Sequence, residues 1–252
     1  MSTPNRQSLA PHNPSPLRLL IPHSIPDIGT MTATARRVHP LCLNMQITAS
    51  GAWLRHWGVP TSGQWFGIRR VAAQATGTHG LYGCTALLIV TDQRVYLAHF
   101  YEDTVFQLRT QRAFRVASFG ALLDDRRVQT SLSFVRNAGY LAPEHHPAVF
   151  VITPHVYGSR DVLLYHRRAW WIARAAAAFV YYTPRFSRAP LVRGYHRTND
   201  IISPSDQRLD GHVLVEVALI NGIRRAPGGH ELFSRWRVWA AGDHIADHDC
   251  RL

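Results

Sequence analysis

Short apolar runs of strand length dominate the chain after residue 60. Residues 84–91 form a continuous apolar run, which predicts a strand buried on both faces. Residues 95–101 are rich in aromatic and β-branched side chains, which favours a second strand, and the polar residues between the two predict a hairpin turn. Similar short patterns predict further strands over residues 66–74, 148–154, 211–220 and 233–240.

Two segments show helical rather than strand periodicity. Residues 111–123 carry apolar positions at mixed helical spacing, and residues 165–180 are rich in alanine, which favours helix. Strands outnumber helices and do not alternate regularly with them. The pattern therefore predicts an α+β fold with a mixed, mostly antiparallel sheet rather than a doubly wound fold.

The two ends of the chain differ in composition from its centre. Residues 1–61 hold eight of the 15 prolines and a single acidic residue, Asp27, so we predict a disordered Pro/Ser/Arg-rich tail. Residues 62–242 are then the folded α+β domain. The polar residues 243–252 predict a flexible C-terminal tail.

The C-terminal run contains side chains of the metal-binding type. His244 and His248 are four residues apart and would share one face of a helix. The run lacks the glutamate of a zinc-protease motif and stands at the chain end. We therefore expect a solvated tail, with no metal and no cofactor.

The net charge of +12 suggests an anionic partner such as nucleic acid. All 28 basic residues are arginine, and none is lysine. A GC-rich genome would produce this balance without selection for binding, so the charge is weak support for a nucleic-acid partner. No apolar run approaches the roughly 18 residues of a membrane span, so we expect no membrane partner. The composition does not indicate an oligomeric state.

The three cysteines are Cys42, Cys84 and Cys250. An odd number at wide spacing is no disulfide framework and no zinc motif, so we expect a reducing, cytoplasmic location. A thiol in a suitable sequence context is then a candidate nucleophile.

Cys84 and His99 stand at the two open ends of the predicted hairpin. With a two-residue loop, Cys84 lies opposite either His99 or Tyr101, depending on which residues form the loop. In both registers Cys84 and His99 project from the same face, because side chains alternate along a strand. A three-residue loop would instead place them on opposite faces.

A cysteine–histidine pair is the minimal unit of thiol catalysis. The nucleophile is the thiolate, and a neighbouring imidazole takes the thiol proton. A third group then holds the imidazole in the required orientation. Gly83, directly before Cys84, would let a substrate approach closely and supplies a candidate oxyanion-hole N–H.

The stretch Leu81-Tyr82-Gly83-Cys84, with Thr78 before it and His99 after it, resembles the Cys–His glutamine deamidases. That family includes the chemoreceptor deamidase CheD, the catalytic domain of cytotoxic necrotizing factor and Burkholderia lethal factor. Its members have a short motif ending in Gly-Cys or Ser-Cys that opens a strand, and a histidine on the next strand. Several also have a threonine six residues before the cysteine. Here Tyr82 stands where the toxins have serine, and the resemblance covers residues 65 to 102 or so.

The resemblance implies a fold and a reaction. The fold is a mixed β-sandwich with flanking helices. In the reaction Cys84 attacks the carboxamide of a glutamine, His99 is the base and then protonates the leaving ammonia, and Thr78 positions His99. The implied partner is a protein with an exposed glutamine. The alternative is a catalytically inactive basic domain of the same fold that binds RNA or an acidic protein.

Overall fold

The computed structural model describes residues 61–67, 74–78, 81–123, 131–181, 189–197, 211–226 and 229–251. The predicted N-terminal tail lies outside these residues except for Thr61, which begins the first strand. Most of the predicted strand over 66–74 lies outside the described residues; within them, one strand ends at Gly67 and another begins at Gln74.

The first sheet has five strands in the order β1-β4-β3-β5-β6. All neighbours are antiparallel except β5 and β6, which are parallel. The hairpin and the strand at 148–154 are where the sequence predicts them, whereas the short β6 was not predicted. The bounds are β1 Thr61–Gly67, β3 Thr85–Val90, β4 Arg94–Phe100, β5 Ala148–Pro154 and β6 Leu191–Tyr195.

The second sheet has four strands, all antiparallel, in the order β2-β7-β8-β9. β7 and β8 extend beyond the predicted strands at 211–220 and 233–240. The short, glycine-containing β2 was not predicted as a separate strand. The bounds are β2 Gln74–Thr78, β7 Val213–Ala226, β8 Gly229–Ala240 and β9 Asp243–Arg251.

The helical segments lie between strands of the first sheet. A π-helical turn, Glu102–Phe106, directly follows β4. The helix α1, Gln111–Arg115, continues into a second π-helical turn, Val116–Gly120, so the predicted helix at 111–123 is confirmed. The helix α2 spans Leu132–Asn137, and α3 spans His166–Val180, close to the predicted 165–180.

The two faces of β3 belong to two different hydrophobic cores. Leu87 and Ile89 contact the helical side, where α3 and α1 pack. Leu88 and Val90 contact the second sheet. All six residues of β3 are buried, as the continuous apolar run predicted. The molecule therefore has three layers, helices on a five-stranded sheet on a four-stranded sheet, which confirms the predicted α+β class with its mostly antiparallel, sandwich-like core.

The prediction of a flexible C-terminal tail is wrong. Residues Asp243–Arg251 form β9, which pairs with β8 along its length. The pattern misled because β9 is an edge strand whose acidic side chains are solvated or paired, as in the ion pair between Arg235 and Asp249 at 2.6 Å. Among residues 243–250, whose burial the structure describes, the deeply buried one is Cys250.

Within the described ranges, every helix is too short or too polar to cross a membrane.

Candidate active site

Cys84 lies at the end of a short loop that leads into β3. The loop is held at both ends, since Leu81 N–H donates to the Gly211 carbonyl at 3.2 Å and Tyr195 Oη donates to the Cys84 carbonyl at 2.8 Å. The Cys84 side chain is partly exposed and packs against the core between the sheets.

The hairpin adopts the second of the two predicted registers. Thr91 N–H donates to the Arg94 carbonyl at 2.8 Å, which closes a two-residue loop of Asp92 and Gln93. Ala86 is therefore opposite His99, and Cys84 is the diagonal neighbour of His99 on the same face. That face is turned toward the second sheet, and the three-residue loop that would have separated the two side chains does not occur.

His99 is buried, with 6% of its surface exposed. Its ring stacks on Tyr101, with centroids 4.5 Å apart and planes at 15°. The stack orients the imidazole within the layer between the sheets.

Thr78 belongs to the second sheet. It ends β2 opposite Val213, whose side chain lies in the core between the sheets. Directly opposed residues of antiparallel strands share a face, so Thr78 also points into this layer. Its side chain is buried, and β2 approaches β4, the strand of His99. The positioning role of Thr78 stays a prediction.

Glu102, which was not predicted as a site residue, contacts Cys84 directly. It begins the π-helical turn after β4, and its backbone N–H donates a hydrogen bond to the Cys84 thiol. Its carboxylate accepts a hydrogen bond from Tyr165 and pairs with Arg197 Nη2 at 3.0 Å. The carboxylate is thus fixed from two sides next to the thiol.

Gly83 allows this close approach. A Cβ at this position would collide with the carboxylate of Glu102 and lie 3.4 Å from Arg197 Nε. Its φ of 156° also disfavours other residues. The prediction that the Gly83 N–H forms an oxyanion hole does not fit the geometry, because this N–H already donates to the Leu81 carbonyl at 2.5 Å.

The surroundings raise the pKa of the Cys84 thiol to about 11. Burial is the largest cause, and the carboxylates of Glu102 and Asp103 act in the same direction. The Glu102 N–H and the Arg197 guanidinium act in the opposite direction. At neutral pH the resting group is therefore the thiol rather than the thiolate.

Two tyrosines that contact Glu102 or Cys84 also have raised pKa values. Burial is the main cause for both, and the hydrogen bond to Glu102 adds to the effect on Tyr165. Both phenols are therefore neutral at physiological pH and act as hydrogen-bond donors, Tyr165 to the Glu102 carboxylate and Tyr195 to the Cys84 carbonyl.

Four residues around Cys84 were not predicted, and the sequence offers a local clue to only one of them. Glu102 follows the strand of His99 directly, and an acidic pair at a strand end was a visible clue. Arg197 and Tyr195 are more than 100 residues from Cys84, and Tyr165 about 80, with no motif to connect them. Only the parallel pairing of β5 and β6 brings Tyr195 beside Cys84.

Comparison of the chain with models of known protein families and with curated proteins gives no match.

Proposed function

We propose that the protein is a cysteine hydrolase that deamidates a glutamine side chain of a protein substrate. The proposal rests on one observation: the partly exposed Cys84, directly before the buried strand β3, has His99 as its diagonal neighbour on the same face. Side chains in this relation are close enough for side-chain rotation to bring a nucleophile and its base together, as thiol catalysis requires.

The proposed reaction has two steps. His99 takes the proton of the Cys84 thiol, and the sulfur attacks the carboxamide carbon. The C–N bond then breaks, ammonia leaves with the proton from His99, and a thioester remains on Cys84. In the second step His99 takes a proton from water, the hydroxide attacks the thioester, and glutamate and the thiol are released.

The raised pKa of Cys84 determines when the nucleophile forms. Because the resting group is the thiol, proton transfer to His99 accompanies substrate binding rather than preceding it. Arg197 favours the thiolate, but it is paired with the Glu102 carboxylate, which disfavours the thiolate. In our proposal a substrate that draws the Glu102 carboxylate away leaves Arg197 to stabilise the thiolate.

The compartment follows from the same chemistry. Cys84 and Cys250 do not form a disulfide. A nucleophilic thiol persists in a reducing environment, and we propose the cytoplasm.

The test is release of ammonia from proteins with exposed glutamines. Cys84→Ser and Cys84→Ala are expected to abolish ammonia release, since no thiol remains to attack the carboxamide. Cys42→Ser is the matched control, a thiol replacement in the part of the chain outside the described residues. Wild-type ammonia release by Cys84→Ala would exclude Cys84 as the nucleophile.

A second candidate function is a basic interaction domain of the same fold that binds RNA or an acidic protein. The raised pKa of Cys84 is the observation that favours it, because such a thiol is unreactive at neutral pH. This function predicts binding that weakens steeply with salt and no ammonia release from proteins with exposed glutamines.

Many of the arginines that would form a basic surface are already engaged. Three of them stack on aromatic rings: Arg94 on Tyr140, Arg115 on Trp171 and Arg136 on Phe179. Three others form ion pairs: Arg197 with Glu102, Arg235 with Asp249 and Arg237 with Glu216. The net charge of +12 already counts every carboxylate, so these contacts leave it unchanged and give the arginines only structural roles. The hydrolase remains the first proposal because it rests on the placement of Cys84 and His99.

A further inference from the structure

Three side chains of the metal-binding type meet at the edge of the two sheets. They lie near the turn of the β3–β4 hairpin, whereas Cys84 lies near its open end. They are Asp92, His248 and Cys250. One potential ligand atom from each lies within 4.8 Å of the other two. Asp92 comes from the β3–β4 turn of the first sheet, and the other two from β9 of the second.

The backbone fixes each of these residues independently. Asp92 N–H donates to the His145 carbonyl at 3.0 Å, which ties the turn to the loop before β5. His248 and Cys250 are two residues apart on β9 and therefore share a face. His248 is opposite Trp236, a fully buried residue of the core between the sheets, so that face points inward.

Asp92 is a buried carboxylate. Only 6% of its surface is exposed, and its ion-pair partners within the described residues are two histidines rather than an arginine. One oxygen, Oδ2, is 2.8 Å from His146 Nδ1. The other, Oδ1, has no hydrogen bond within the described residues and lies 3.7 Å from His248 Nε2. A buried carboxylate oxygen without a hydrogen bond is stabilised when it binds a cation.

We propose that Asp92, His248 and Cys250 bind a Zn²⁺ ion. Thiolate, imidazole and carboxylate together are a donor set that suits zinc. Ligand atoms around a tetrahedral zinc are roughly 3.3–3.8 Å apart, given bond lengths of about 2.0–2.3 Å. The observed separations therefore need only small side-chain rotations, and the carboxylate and thiolate balance the charge of the ion.

His146 has a supporting role in this site. Its Nδ1–H donates to Asp92 Oδ2, which leaves Oδ1 for the metal. Hydrogen bonds of this kind orient metal-binding carboxylates, and their loss typically weakens metal binding about 10- to 100-fold. His146 is itself half-exposed, so it covers the site from the solvent side.

The same three residue types also occur in thiol hydrolases, but burial argues against that role here. Cys250 is 3% exposed and belongs to the core between the sheets. A substrate carbonyl has no access to a sulfur in that position, whereas a metal ion needs only a gap between side chains. The zinc ion would join the two sheets and hold the edge strand β9 in place.

Cobalt titration of the full-length protein tests the proposal. The protein is stripped of metal with a chelator and titrated with Co²⁺, a spectroscopic substitute for Zn²⁺. We expect a thiolate-to-cobalt charge-transfer band that saturates at one equivalent and disappears when Zn²⁺ is added. Zn²⁺ should also raise the Tm of the stripped protein, because the ion binds only the folded chain.

Variants assign the band to this site. Cys250→Ser and His248→Gln should lose it, and His146→Gln should weaken Co²⁺ binding about 10- to 100-fold. The controls are His244→Gln, an exposed histidine on the same strand, and Cys84→Ser, which removes the other described thiol; both should keep the band. If Cys250→Ser does not fold, His248→Gln and His146→Gln give the answer.

The proposal is overturned if the wild-type protein gives no thiolate–cobalt band, or if the band persists in His248→Gln. A band that disappears in Cys84→Ser but not in Cys250→Ser would also overturn it, because the metal would then bind at the candidate active site. None of these outcomes depends on whether the protein is a deamidase.

Discussion

The Cys84 thiol lies next to one residue, Glu102, that acts on it in two opposite ways. The backbone N–H of Glu102 donates to the sulfur and favours the thiolate, while the carboxylate of the same residue disfavours it. Burial adds to the second effect and decides the outcome, a pKa of about 11. Arg197 is paired with the carboxylate, so its charge is largely offset where it would otherwise stabilise the thiolate.

Replacing Glu102 by glutamine should make Cys84 more reactive. The change removes the negative charge and leaves Arg197 without its carboxylate, and both effects lower the pKa of the thiol. Since one pKa unit is a tenfold change in thiolate fraction, we expect alkylation of Cys84 by iodoacetamide at pH 7.5 to become at least about threefold faster. Peptide mass spectrometry measures the rate at Cys84 alone.

The matched control is Glu144→Gln, which removes an exposed carboxylate from a different loop. It should leave the alkylation rate unchanged. An unchanged or slower rate in a folded Glu102→Gln protein would show that the carboxylate does not control the thiol.

At the scale of elements, the sequence predicted what depends on local pattern. β3 was recognisable because both of its faces are buried, so all six positions are apolar or small. β9 was misread because an edge strand has one face and one edge in water, and its charges look like those of a tail. β6 is a short strand with partly exposed side chains, which leaves no run to detect.

The loop that carries Cys84 depends on Gly83, which gives a second test at this scale. Gly83→Ala should lower the free energy of unfolding by about 1–3 kcal/mol, because its φ is strained for alanine and its Cβ would displace a Glu102 side chain held by Tyr165 and Arg197. Urea unfolding measures the difference.

Gly139→Ala separates the two causes. Its φ of 81° is also positive, but a Cβ there would meet nothing within 4 Å. It reports the cost of alanine at a positive φ without a steric conflict, so Gly83→Ala, which adds the conflict with Glu102, should be the more destabilising of the two. Equal losses would mean that Glu102 moves aside at no cost.

At the scale of the whole molecule, the candidate site is assembled from residues that no local pattern connects. Cys84 and His99 were predictable as a pair, because a hairpin register relates them. Thr78 reaches the same layer from the other sheet, and Arg197 follows a strand that joins the first sheet by a parallel pairing. Such contacts depend on how the sheets pack on each other, which a single sequence does not encode at short range.

The central claim is that Cys84 forms a thioester with a glutamine side chain, and trapping this intermediate tests it most directly. Hydroxylamine added during turnover competes with water for a thioester and converts the glutamine to a glutamyl hydroxamate. We predict that the wild-type protein produces hydroxamate on proteins with exposed glutamines, and that Cys84→Ala produces none. Failure of the wild-type protein to produce it, or equal formation by Cys84→Ala, would contradict the account.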